Sequence, residues 1–103
     1  MRIAIYARYS SDHQSDASIE DQVRTCQAWI DANGHTLSEV YTDHAMSGAS
    51  LLRPGYQKMF EDARSGTFHI LIAEALDRLS RDQEDIAALY KQLTFAGIQL
   101  ITL

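Results

Sequence analysis

His69-Ile-Leu-Ile-Ala73 is a short, nearly continuous apolar run, with Gly66 shortly before it and the polar segment Leu76-Asp-Arg-Leu-Ser-Arg81 after it. Side chains of a strand alternate between its two faces. Apolar residues at successive positions therefore predict a strand covered on both sides, as in a parallel sheet with helices above and below. The residues on either side fit that frame. Upstream, Pro54 suits a first helical turn, and Tyr56, Met59, Phe60 and Ala63 fall at i, i+3, i+4 and i+7 before Gly66 ends the helix. Downstream, Asp82 is placed to cap a helix whose Ile86, Leu89, Tyr90 and Leu93 share one face, and Gly97 stops it. Ile98-Gln-Leu-Ile-Thr-Leu103 reads as a further strand.

The first half repeats the alternation. Residues 2–9 read as a buried strand, and Ser15-Asp-Ala-Ser18 opens a helix in which Ser18 and Asp21 are spaced like a capping pair. Ile19, Val23, Cys26 and Ile30 follow at helical spacing with Trp29 beside them, and Asn33-Gly34 closes the helix. Residues 36–42 alternate and read as a second strand, followed by a loop of small and polar residues from Asp43 to Leu52. The order β-α-β-α-β-α-β predicts an α/β domain of three layers: a mainly parallel sheet of four strands or more, with helices on both faces.

At 103 residues the chain is one domain at most, and 46% hydrophobic residues with a single proline and five glycines suit a packed core. A lone cysteine, Cys26, permits no intrachain disulfide and sits on the apolar helix face, so it reads as core packing in a reducing cytoplasm. The start is too short and too polar for a signal peptide or a membrane span. The net charge of −5 is not that of a typical nucleic-acid binder. The distribution of charge says more. Four of the nine basic residues, Arg8, Arg53, Arg78 and Arg81, fall at strand ends or in loops, and all four are arginine, whose planar fork suits phosphate oxygens.

In parallel sheets, sites lie beyond the carboxyl ends of the strands. Arg8 and Ser10 follow the first predicted strand, Asp43 the second, and Asp77, Arg78 and Arg81 the third. Tyr6, Arg8 and Ser10 point the same way if the extended form persists. Gathered at one edge, the arginines suit the non-bridging oxygens of a phosphodiester, and Ser10 supplies a hydroxyl nucleophile that needs its proton removed. Asp77, or an arginine acting as a proton acceptor or electrostatic trigger, are both candidates for that step. Each residue also has a plainer reading: Arg8 as an ion-pair partner of Asp43 or Asp77, Ser10 and Asp77-Arg78 as turn residues, Arg81 as a solvated charge. The four histidines, His13, His35, His44 and His69, show no paired metal-ligand spacing, and the glycines form no phosphate-cradling loop, so neither a metal nor a nucleotide cofactor is expected.

Tyr6-Ala-Arg-Tyr-Ser-Ser11, Asp43 followed by Ser47-Gly48, Arg53-Pro-Gly55 and Leu76-Asp-Arg-Leu-Ser-Arg81 together resemble, in order and spacing, the catalytic domain of serine site-specific recombinases, the resolvase and invertase family, and most of all its large members. The resemblance spans the whole chain. It implies a resolvase-like fold and attack by Ser10 on a DNA phosphodiester, giving a 5′-phosphoserine link that is later re-ligated without cofactor. It also implies that Arg8, Arg78 and Arg81 hold the phosphate, with Asp77 assisting. Ser47 and Arg53 would belong to a loop that closes on the site, with Tyr6 and Gln14 in support. It further implies a bacterial, phage or mobile-element protein whose residues 1–103 form an amino-terminal catalytic domain. A dimer-forming helix and a DNA-binding domain would lie elsewhere, and the full protein would form dimers or tetramers on DNA. Glu74-Ala75 departs from the pattern, since those positions are often basic or apolar in such proteins. Two other readings compete: a non-catalytic interaction module of the same fold, and a small-molecule phosphotransfer enzyme.

Overall fold

A computed structural model of the chain describes residues 2–9, 16–44, 54–79 and 83–103. Strand β1 (Arg2–Arg8) leads into helix α1 (Asp16–Ala32) and strand β2 (Thr36–Asp43). Helix α2 (Pro54–Arg64), strand β3 (Ile70–Ala73), a short helix α3 (Leu76–Leu79), helix α4 (Gln83–Phe95) and strand β4 (Gln99–Thr102) follow. The sheet order is β2-β1-β3-β4, and every neighbouring pair is parallel. The predicted α/β architecture is therefore the observed one. The chain leaves β1 to one side for β2 and returns to its other side for β3. This order places a crevice between the carboxyl ends of β1 and β3.

Each face of the sheet has its own core. Ile3 and Ile5 of β1 with Ile70 and Ile72 of β3 pack against Cys26 and Ile30 of α1. The alternate residues Ala4, Tyr6, Leu71 and Ala73 face Tyr56, Met59 and Ala63 of α2, Leu79 of α3, and Leu89 and Leu93 of α4. Burying a side chain such as Leu71 or Ile72, both 0% exposed, contributes about 1.5–3 kcal/mol. Cys26 is likewise fully buried, as its place on the apolar stripe predicts. Among the described residues no helix is long and apolar enough to cross a membrane.

Strand β2 lies at the edge of the sheet and does not keep the simple alternation its sequence suggests. Its pairing with β1 slips by one residue: Ile3 stands beside Leu37, but Ala4 stands beside Glu39, leaving Ser38 as an extra residue. In a regular strand Leu37 and Tyr41 would share a face. The bulge puts Leu37 in the α1 core and Tyr41 in the α2 core. Downstream of it, Tyr41 stands beside Tyr6 and Asp43 beside Arg8. Tyr41 Oη donates to Asp62 of α2 at 2.6 Å, which ties β2 to α2 at mid-length, and Lys58, one turn earlier on α2, pairs with the same carboxylate at 3.2 Å.

Three expectations are corrected. Helix α1 starts at Asp16, so Ser18 lies inside its first turn rather than capping it, and its hydroxyl accepts a bond from Gln22 Nε2 at 3.2 Å. The segment after β3 forms the separate helix α3, anchored by tertiary contacts, before α4 begins at Gln83. On α4, Leu89 and Leu93 are buried and Ile86 packs against them, but Tyr90 is 46% exposed. One position beyond Leu89 turns the ring to the edge of the apolar stripe, where an amphipathic side chain reaches water.

Candidate active site

Arg8 ends β1 with its side chain 1% exposed, an unusual burial for a guanidinium and one that requires partners. Its Nε donates to the carbonyl of Arg78 at 3.0 Å and its Nη2 to the carbonyl of Asp77 at 2.8 Å. These carbonyls belong to α3, whose single turn cannot satisfy them internally, so the guanidinium caps the helix from across the sheet crevice. The effect is positional. Arg8 fixes the backbone that carries Arg78.

Arg8 is itself held by Gln22 of α1. The carboxamide accepts from Arg8 N–H at 3.2 Å and donates to the Arg8 carbonyl at 3.0 Å, with Gln22 only 1% exposed. This reciprocal clamp fixes the last residue of β1, immediately before Tyr9 and Ser10. Gln22 is not among the residues that motif spacing singles out, yet the sequence carries its signal: a polar residue lying three positions after Ile19 and four before Cys26, on the apolar stripe of α1.

Asp43, at the end of β2 and 3% exposed, does similar work for α2. Its carboxylate accepts from the backbone N–H of Gly55 at 2.8 Å, from that of Tyr56 at 2.9 Å, and from Tyr6 Oη at 2.6 Å. The first turn of α2 has no acidic residue of its own, and Asp43 supplies the anion that the exposed N–H groups and helix dipole favour there. Tyr6 is fully buried, with its ring edge-on to Tyr56 at 5.6 Å. Tyr6 thus joins β1 to the point where α2 begins. Gly55 allows the approach: a Cβ there would stand 2.4 Å from the Thr42 carbonyl oxygen.

Of the residues singled out in the sequence, the fold brings Tyr6, Arg8, Asp77 and Arg78 to the carboxyl edge of β1 and β3. Asp77 contributes its carbonyl to Arg8 while its side chain is exposed. The Arg78 side chain is 16% exposed and lies 3.8 Å from Glu74 Oε1. Tyr9 and His44, which follow β1 and β2, stack edge-on at 5.8 Å along the same edge. Ser10, Gln14, Ser47, Arg53 and Arg81 lie outside the described residues. The described part of the site is a buried brace, with Gln22 holding Arg8, Arg8 holding α3, and Tyr6 and Asp43 holding α2. Preorganised charge of this kind suits chemistry at an anionic group.

Comparison with known proteins agrees with this geometry. The chain is 33% identical over 98 residues to the transposon Tn552 resolvase of Staphylococcus aureus, covering 95% of this chain and 44% of that protein. It is 34% identical over 101 residues to a putative DNA recombinase of Bacillus subtilis (strain 168), covering 96% of this chain and 20% of the relative. The chain thus spans less than half the length of these relatives. Its fold matches the crystal structure of the N-terminal catalytic domain of TP901-1 integrase with a TM-score of 0.88 and 31% identity, over 100% of this chain and 77% of that one. Residues 3–103 match the family model described as "Resolvase, N terminal domain", and the chain belongs to that family.

Proposed function

We propose that residues 1–103 are the catalytic domain of a serine site-specific DNA recombinase, with Ser10 as the nucleophile. The observation that carries this reading is the gathering of Arg8 and Arg78 at one crevice, with Arg8 bonded to the backbone on which Arg78 is mounted. Arg8 closes β1 two residues before Ser10, so a phosphate reached by the serine hydroxyl lies within the field of both cations.

In this reading the Ser10 hydroxyl gives up its proton as its oxygen attacks phosphorus; a serine–phosphate bond forms at the 5′ end, the bond from phosphorus to the 3′ oxygen breaks, and that oxygen takes up a proton as it leaves. The reverse attack by a 3′-hydroxyl restores Ser10 and rejoins DNA. Bond types are exchanged and none is lost, so no high-energy cofactor enters. Arg78, with Arg81, binds the non-bridging oxygens. Arg8 adds charge and positions Arg78, while Asp77, Ser47, Arg53, Tyr6 and Gln14 assist from the surrounding segments. The partner is DNA, in a protein that pairs with further copies of itself to exchange strands.

The test uses the full-length protein expressed in cells, with covalent protein–DNA complexes recovered under denaturing conditions. Wild type is expected to give adducts joined at 5′ ends, and Ser10→Ala none. Adducts persisting in Ser10→Ala would overturn the assignment, and adducts absent from wild type would overturn the reaction.

A further inference from the structure

Glu74 stands directly after β3, at the carboxyl edge of the sheet. Its side chain is 37% exposed and its Oε1 lies 3.8 Å from Arg78 Nη2, four residues on. We infer that Glu74 is an internal stand-in for the anionic substrate, occupying the Arg78 guanidinium in the DNA-free protein and giving way when a DNA phosphodiester enters. The inference rests on the proposed function, which makes Arg78 a phosphate ligand.

The geometry is that of an occupant that can be displaced. A carboxylate that braces an arginine makes two short, parallel bonds of about 2.7–2.9 Å. Glu74 makes a single approach beyond hydrogen-bond length. Arg78 is mostly buried, where a guanidinium charge is costly, and Glu74 places an anion beside it that an entering phosphate can replace. The exchange needs little rearrangement. Arg8 fixes the backbone of α3, and the half-exposed Glu74 side chain has solvent to swing into. The Glu74 charge is felt across the sheet as well, adding to the effect of burial in raising the Cys26 thiol to about 11. Two anions on one guanidinium repel each other, so Glu74 lowers the affinity of the site for phosphate. It acts as a counter-ion, not as a catalytic residue.

The test measures binding of random-sequence duplex DNA to the full-length protein in a Ser10→Ala background, where no adduct forms. Removing the charge with Glu74→Gln is expected to tighten binding about two- to five-fold, the range of a partly exposed ion pair. The gain is expected to vanish when Arg78→Ala is also present. Weaker binding in Glu74→Gln would make Glu74 a brace, and unchanged binding would make the contact incidental. A gain that survives Arg78→Ala would reflect general surface charge. Each of these outcomes overturns the inference. Because this readout needs no cleavage, its failure is distinct from failure of the adduct experiment.

Discussion

At the scale of single residues, the site depends on buried polar side chains that hold backbone. Gln22 is the clearest case. Its carboxamide pairs with both the N–H and the carbonyl of Arg8, at 3.2 and 3.0 Å. Gln22→Leu is nearly the same size but removes a partner from two buried groups. We expect a loss on the order of 2 kcal/mol in urea unfolding, since a buried polar group left unpaired costs about 1–3 kcal/mol. Adduct formation should fall further than the stability loss explains, because the end of β1 is released beside Ser10. A variant that unfolds at lower urea but retains full adduct yield would limit Gln22 to a structural role.

At the scale of elements, the join between β2 and α2 is the sensitive point. Three bonds converge on Asp43, and they require the start of α2 to lie almost against the end of β2. Gly55→Ala would place a methyl 2.4 Å from the Thr42 carbonyl oxygen and 3.0 Å from Asp43 Oδ2. The obstacle is backbone and cannot rotate away. The helix must shift, and overpacking of this kind costs about 1–3 kcal/mol. We expect a lower thermal midpoint and reduced adduct formation in Gly55→Ala, measured by calorimetry and by the denaturing recovery of adducts. An unchanged midpoint would mean that α2 can move without strain. The bulge at Ser38 acts on the same join: it turns Tyr41 and Asp43 toward α2, where a regular strand would have kept them on the face of Leu37.

At the scale of the whole molecule, both cores enclose a group that folding keeps protonated. Burial, followed by the Glu74 charge, raises Cys26 in the α1 core from an ordinary 9.0 to about 11. Burial and the bond to Asp62 also push the Tyr41 phenol up, in the α2 core. A folded-state pKa above the unfolded one gives stability that is complete below the unfolded value and is lost as pH rises through the folded one. Stability is therefore expected to hold up to about pH 9 and to fall from there through about 11 as Cys26 deprotonates more readily in the unfolded chain. Urea midpoints measured across that range test this. Cys26→Ala should flatten the first part of the decline and Tyr41→Phe the later part, and a slope untouched by either variant would contradict the assignment.

The order of strands and helices, the parallel sheet, both apolar faces and the placing of Arg8, Asp77 and Arg78 at strand ends were legible in the sequence. These properties follow from local periodicity and from the rule that strands joined through helices run parallel. Asp43 as the cap of a helix eleven residues on, Gln22 as the clamp on Arg8, the separate α3 turn and the Ser38 bulge were decided only by tertiary structure. Each depends on a polar group meeting a backbone group from a distant segment. Hydropathy spacing records which face a side chain takes. It does not record which backbone atoms lie opposite once the sheet has closed, and those contacts position the site.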